Sequence, residues 1–128
     1  MDARTFLGLR RSHNPYRWSL PVTPRISSSG GFLFGGSGLG AAISAMEGTS
    51  DRPCIWATAQ YLAYAKPGEV LDIDVTLAIV GHQMTQARAV GHVGNQEVLT
   101  VNAALGSRPF PVSGTWEFLT ERRVVATR

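Results

Sequence analysis

The chain has 128 residues, which suits one domain built around one core. With 44% apolar and only 16% charged residues, the composition excludes a disordered chain. The net charge of +3 rests on 12 basic residues, eleven of them Arg; they are scattered and not interleaved with aromatics, which argues against nucleic acid and suits a small anionic partner.

Residues 1–15 are polar and read as an irregular N-terminal segment ending at Asn14-Pro15. They contain no apolar leader, and no stretch of the chain approaches about 18 apolar residues. A cytoplasmic protein without a membrane span is expected. A short strand follows at Arg17 to Val22, where Trp18, Leu20 and Val22 alternate with other residue types. Residues 23–31 form a loop rich in Ser and Gly. A helix is predicted from Gly36-Ser37 to about Glu47, with Ser37 as candidate N-cap and Gly48 as the stop. Its interior is small, apolar and almost free of charge, so it is a core helix wrapped by other elements.

The wrapping is sheet. Cys54 to Tyr64 is rich in aromatic and apolar residues. Cys54 is the sole cysteine, which excludes an internal disulfide and a cysteine metal cluster, and it reads as a buried, inert thiol. Lys66-Pro67-Gly68-Glu69 is a turn. Val70 to Val80 then alternates strictly, with Leu71, Ile73, Val75, Leu77 and Ile79 on one face and Asp72, Asp74 and Thr76 on the other. Gln83 to Val93 follows after Gly81-His82, placing Met84, Gln86, Arg88, Val90 and His92 together. After Gly94-Asn95, Glu97 to Leu105 puts Leu99, Val101, Ala103 and Leu105 on one face. Short turns between consecutive strands imply antiparallel pairing. The fold class is α+β: one long central helix wrapped by a curved antiparallel sheet spanning residues 16–106. Residues 107–128 read as a linker or tail.

The segment GFLFGGSGLGAA at residues 31–42 carries five glycines in ten positions. Gly36, Gly38 and Gly40 do not have the G-x-G-x-x-G spacing of a dinucleotide fingerprint. A Walker A loop needs a Lys after its last Gly, and the chain's only Lys is Lys66. A nucleophile elbow would need Gly where Leu39 stands. Close approach remains. Gly35 and Gly36 leave the first N–H groups of the helix accessible, where they and the helix dipole can polarise a carbonyl oxygen. Plain packing of sheet against helix explains the same glycines, and both readings stand at this stage.

The stretches GGFLFGGSGLGAAISAME, PCIWATAQYLAYAKPGEVLDIDV and GHQMTQARAVGHVGNQEVLTVNAALG together resemble acyl-CoA thioesterases of the TesB-like, double-hotdog family. Phe34-Gly35-Gly36 looks like the Phe/His-Gly-Gly that opens that family's hotdog helix, and Lys66-Pro67-Gly68 like its Arg/Lys-Pro-Gly turn. Such proteins carry two hotdog repeats; this chain contains one, similar to the N-terminal repeat. The resemblance implies hydrolysis of fatty acyl-CoA thioesters by an activated water, with no metal, cofactor or covalent intermediate. Gly36 is the candidate oxyanion donor, with Gly35 and Gly36 as substrate-binding positions; Gln60, a further polar group on the strand and face of Thr58, is a third. Asn102 stands where the family's second repeat carries Gln, and Thr58 lies near its Thr position. The family's helix Asp has no counterpart here. The partners implied are an acyl-CoA substrate and a second hotdog, as a repeat or a homodimer.

A different class of function is favoured by the missing acid: a non-catalytic half, acting as an acyl-binding or structural partner. A hotdog dehydratase would need an Asp and His pair that does not stand out. His13, His82 and His92 show no metal spacing and read as surface residues. Asp72 and Asp74 share a strand face opposite the apolar one, as expected of a solvent or oligomer face.

Overall fold

A computed structural model describes residues 2–107. Six antiparallel strands form one open, curved sheet around a single long helix, as the hotdog reading requires. The elements are α1 (Ala3–Leu7), β1 (Arg10–Arg11), β2 (Arg17–Pro21), α2 (Gly35–Ser50), β3 (Cys54–Tyr61), β4 (Val70–Val80), β5 (Met84–Val93) and β6 (Gln96–Gly106). The strand order is β1-β2-β4-β5-β6-β3, so the chain crosses from one edge of the sheet to the other by way of α2.

The core lies between α2 and the concave face of the sheet. The alternation in β4 puts Leu71, Ile73 and Val75 inward, and β6 contributes Leu99, Val101, Ala103 and Leu105. The helix meets them with Ala41, Ala42, Ala45 and Met46, all essentially without solvent contact. Gly91 allows β5 to pass under two leucines; a Cβ there would lie 2.6 Å from Leu99.

Several sequence expectations need correction. The first fifteen residues are not merely irregular: they form α1 and β1, and Leu7 and Leu9 join the core. Ser37 does not cap α2. The N-cap is Phe34, whose carbonyl accepts the N–H groups of Ser37 and Gly38. Gly48 does not stop the helix, which runs on to Ser50 and closes at Asp51 in the left-handed region (φ 59°), where the Asp51 N–H bonds to the Glu47 carbonyl. Ile79 does not share the inward face of β4. A bulge between Leu77 and Ile79 shifts the register, and Ile79 ends 63% exposed. The tail expected at residues 107–128 falls, apart from Ser107, outside the described residues.

Gly48 instead meets Trp18. The Trp18 ring is 1% exposed, and a Cβ on Gly48 would come within 2.5 Å of it. The ring has nowhere to go. Its Nε1–H donates to Thr49 Oγ1 at 2.9 Å, and the Arg11 guanidinium lies 4.4 Å from its centroid. On a free helix surface Gly→Ala stabilises by about 1 kcal/mol. Here Gly48→Ala is expected to destabilise by about 1–3 kcal/mol, as overpacking does. Denaturant unfolding of the two proteins, monitored by Trp fluorescence, measures the sign directly.

Candidate functional site: the mouth of the central helix

Two hydrogen bonds fix where α2 begins. Leu33 N–H donates to the Ala65 carbonyl at 2.7 Å, and Phe34 N–H to the Ile26 carbonyl at 3.0 Å. The next two N–H groups, those of Gly35 and Gly36, have no backbone acceptor among the described residues. They are the first donors of a sixteen-residue helix, at the positive end of its dipole. The Phe34 ring folds back over Gly36, so that a Cβ on Gly36 would lie 2.6 Å from it.

Beside this mouth lies a largely apolar cavity of about 180 Å³, lined by Leu33, Gly35, Gly38, Tyr61, Tyr64 and Leu99 among others. Phe32 stacks on Tyr64 at 4.4 Å to form part of its wall. Tyr61 closes the side next to the helix: its hydroxyl donates to the Gly35 carbonyl at 2.7 Å. The arrangement sets an apolar slot beside backbone donors that have no acceptor among the described residues. It can hold an apolar tail and polarise a carbonyl at the tail's head.

The residues singled out from the sequence fall into two groups. Gly35 and Gly36 are together at the mouth. Thr58, Gln60 and Asn102 are exposed on the opposite, outer face of the sheet, because their neighbours Ala57, Ala59, Val101 and Ala103 take the inward positions. Thr58 faces Asn102 across the β3–β6 pair, and Gln60 faces Thr100. Asn102 Oδ1 accepts from Arg88 Nε at 3.1 Å. Within one chain, then, these three side chains do not converge with the Gly36 N–H. Tyr61 was not recognised in the sequence. Its signal was the parity of β3: Ala57, Ala59 and Tyr61 share the inward face.

Among the described residues no carboxylate lies at the mouth. Glu47 is twelve positions further along α2, about 18 Å at 1.5 Å per residue. Its Oε2 accepts the Cys54 N–H at 2.8 Å. Burial, with Glu47 nearby, pushes the half-buried Cys54 thiol up, which keeps it protonated and unreactive. Among the described residues no group of His, Cys, Asp and Glu is placed to hold a metal ion, and no helix is long and apolar enough to cross a membrane.

A titratable cluster lies elsewhere on the outer face. Asp74 receives Arg17 at 2.6 and 2.9 Å, and its Oδ2 lies 2.7 Å from His92 Nε2. His92 Nδ1 lies 2.8 Å from the Gly94 carbonyl. Both ring nitrogens therefore face acceptors, which only the imidazolium satisfies. The surface histidine expected from the sequence is thus a partly buried strut. The Arg17 hydrogen bond holds the Asp74 carboxyl below its ordinary range, with burial opposing and His92 assisting. Burial pulls His92 down, but the Gly94 carbonyl and Asp74 outweigh it and raise the imidazole.

This is the fold of the hotdog proteins, and comparison with solved structures agrees. No family model and no curated protein matches the chain. A candidate thioesterase from Novosphingobium aromaticivorans superposes with a TM-score of 0.76 at 28% identity, covering 82% of this chain. The chain spans 43% of that protein, less than half its length. The E. coli PaaI protein, from the phenylacetic acid degradation operon, gives 0.74 at 14% identity, covering 82% of this chain and 87% of its own. A Streptococcus mutans protein solved with acetyl-CoA bound gives 0.66 at 18% identity, with 70% and 77% covered.

The strut has a defined pH window. The Asp74 contribution is present above about pH 3.9 and is lost as pH falls through its lowered folded value. The His92 contribution is full below about pH 6.5 and is lost as pH rises through its raised folded value. Thermal melts from pH 3 to 9 should show His92→Gln furthest below wild type in the weakly acid range and converging on it in alkali. Parallel profiles would remove the ion pair from the account.

Proposed function

We propose that this protein is a hotdog acyl-CoA thioesterase, in which the N–H groups of Gly35 and Gly36 receive the thioester carbonyl. The observation that carries this reading is a pair of helix donors without an acceptor among the described residues, beside an apolar cavity that Gly35 lines. The tail of a fatty acyl group suits the cavity, and the developing oxyanion suits the helix mouth. Exposed Arg side chains would take the CoA phosphates. A CoA ester as substrate goes with a cytoplasmic protein.

Water activation needs a group this helix does not carry at its mouth. A second hotdog, as a repeat or a homodimer, would supply it. The two sheet edges are unequal. Among the described residues β1 is two residues long and blunted, whereas β3 offers eight residues with one side unpaired. The partner therefore joins along β3. The absent acid also favours a second reading, an acyl-binding half that needs a catalytic partner.

Hydrolysis of octanoyl-CoA separates the two. The chain alone is expected to turn over weakly or not at all, and turnover should appear when a hotdog bearing a helix Asp is joined to it. In that assembly Gly36→Pro, which deletes the N–H, should lower kcat by about a hundred- to a thousand-fold. Proline is tolerated in the first turn, and circular dichroism checks the fold. Gly36→Ala keeps the donor and displaces only the Phe34 ring, so it should lose far less. Thr58→Ala and Asn102→Ala, on the other face, should stay within about two-fold. A ten-fold loss in either would move the site to the outer face.

A further inference from the structure

We infer that Tyr61 is a positioning residue that aims and polarises the Gly35–Gly36 peptide. The inference rests on the reading above and adds to it how the donor is set. A peptide group is a rigid plane with its C=O and N–H pointing in opposite directions. The carbonyl of Gly35 and the N–H of Gly36 belong to one such plane. The carbonyl accepts the Tyr61 hydroxyl at 2.7 Å. The N–H on the other side has no acceptor among the described residues. Tyr61 thus holds the back of the plane whose front is offered at the mouth.

The grip is specific. Gly35 has no side chain to fix its own orientation, and the N-cap residue Phe34 supplies no side-chain cap bond. Among the described residues no other side chain bonds this carbonyl. The Tyr61 ring lies 3.4 Å from where a Gly35 Cβ would stand, in ordinary contact, so the ring packs flush against the bare backbone. Gly35 and Tyr61 also line the apolar cavity together, so the same contact shapes the slot and the donor. A hydrogen bond accepted at the carbonyl draws electron density through the amide and makes the N–H a stronger donor, by about 10–30%. An edge-strand residue therefore sets the strength of a helix-end donor.

The decisive measurement needs no turnover. In Tyr61→Phe, which keeps the ring and removes the hydroxyl, the Gly36 amide nitrogen and proton resonances should move upfield, with the remaining helix resonances in place. Incorporating 3,5-difluorotyrosine at position 61, a stronger donor, should move them the other way from wild type, which no packing role would do. With octanoyl-CoA labelled with ¹³C at the thioester carbonyl, the bound carbonyl stretch should be less red-shifted in Tyr61→Phe while affinity is unchanged. In an assembly that turns over, kcat should fall by about three- to ten-fold with KM held. A Gly36 resonance indifferent to both variants overturns the role of Tyr61, whatever octanoyl-CoA does. Failure of octanoyl-CoA to bind wild type, with the Gly36 shifts as expected, overturns the acyl-CoA reading and leaves the peptide's orientation by Tyr61 in place.

Discussion

The distance at which α2 can sit from the sheet governs this molecule. A helix seated in the curl of a sheet must bring small residues to the contact, or its backbone is held away and the curl stays empty. Here Gly38, Ala41, Ala42, Ala45 and Gly48 make that surface. They admit Leu99 at one end and the whole indole of Trp18 at the other. Because the helix is close, the inward faces of β4, β5 and β6 pack against it, and the space left beside its mouth is the cavity lined by Leu33, Gly38 and Leu99. Because its axis is thereby fixed, its N-terminus opens at one defined place. The glycines at the mouth and the glycine at the far end serve different purposes, and only the surroundings distinguish them.

The same seating separates two kinds of chemistry by the thickness of one sheet. The concave side is largely apolar and ends in backbone donors without an acceptor among the described residues. The convex side carries Arg17, Asp74, His92, Arg88, Asn102 and Thr58, all reachable by water. Period two in the strands makes this division automatic, since adjacent residues cannot share a face. Asn102 and Gly36 belong to opposite sides for that reason alone, although both come from segments that looked functional.

Much of the fold was legible because its signals are local. Strict alternation over Val70 to Val80, short turns after it, and an uncharged helix before it leave few other arrangements. The long-range contacts were not legible. Gly48 looks like a helix stop until Trp18, thirty positions away, is placed against it. The bulge after Leu77 breaks an alternation that the sequence continues without interruption. Ser37 has the chemistry of a cap, yet the chain enters the helix three residues earlier, since Phe34 is already tied to Ile26. The resemblance located the helix mouth through Phe34-Gly35-Gly36 but, transferring strand positions one at a time, could not show on which face they would fall. Tyr61 escaped notice because a tyrosine at the end of an aromatic run carries no motif of its own.

The edge strand gives the sheet an uneven resistance to opening. β2, β4 and β5 are bound by the Arg17–Asp74–His92 strut as well as by their ladders, and each has fully buried side chains. None of the eight residues of β3 is fully buried, and those that pack against the core are Cys54 and two alanines, Ala57 and Ala59. It therefore has little apolar area to lose when it separates from β6. In hydrogen-exchange terms β3 is expected to open at a lower free energy than β4 and β5. Tyr61 detaches with β3. Each excursion of the edge would release the back of the Gly35–Gly36 peptide and widen the cavity, and anything that pairs with the edge would suppress it.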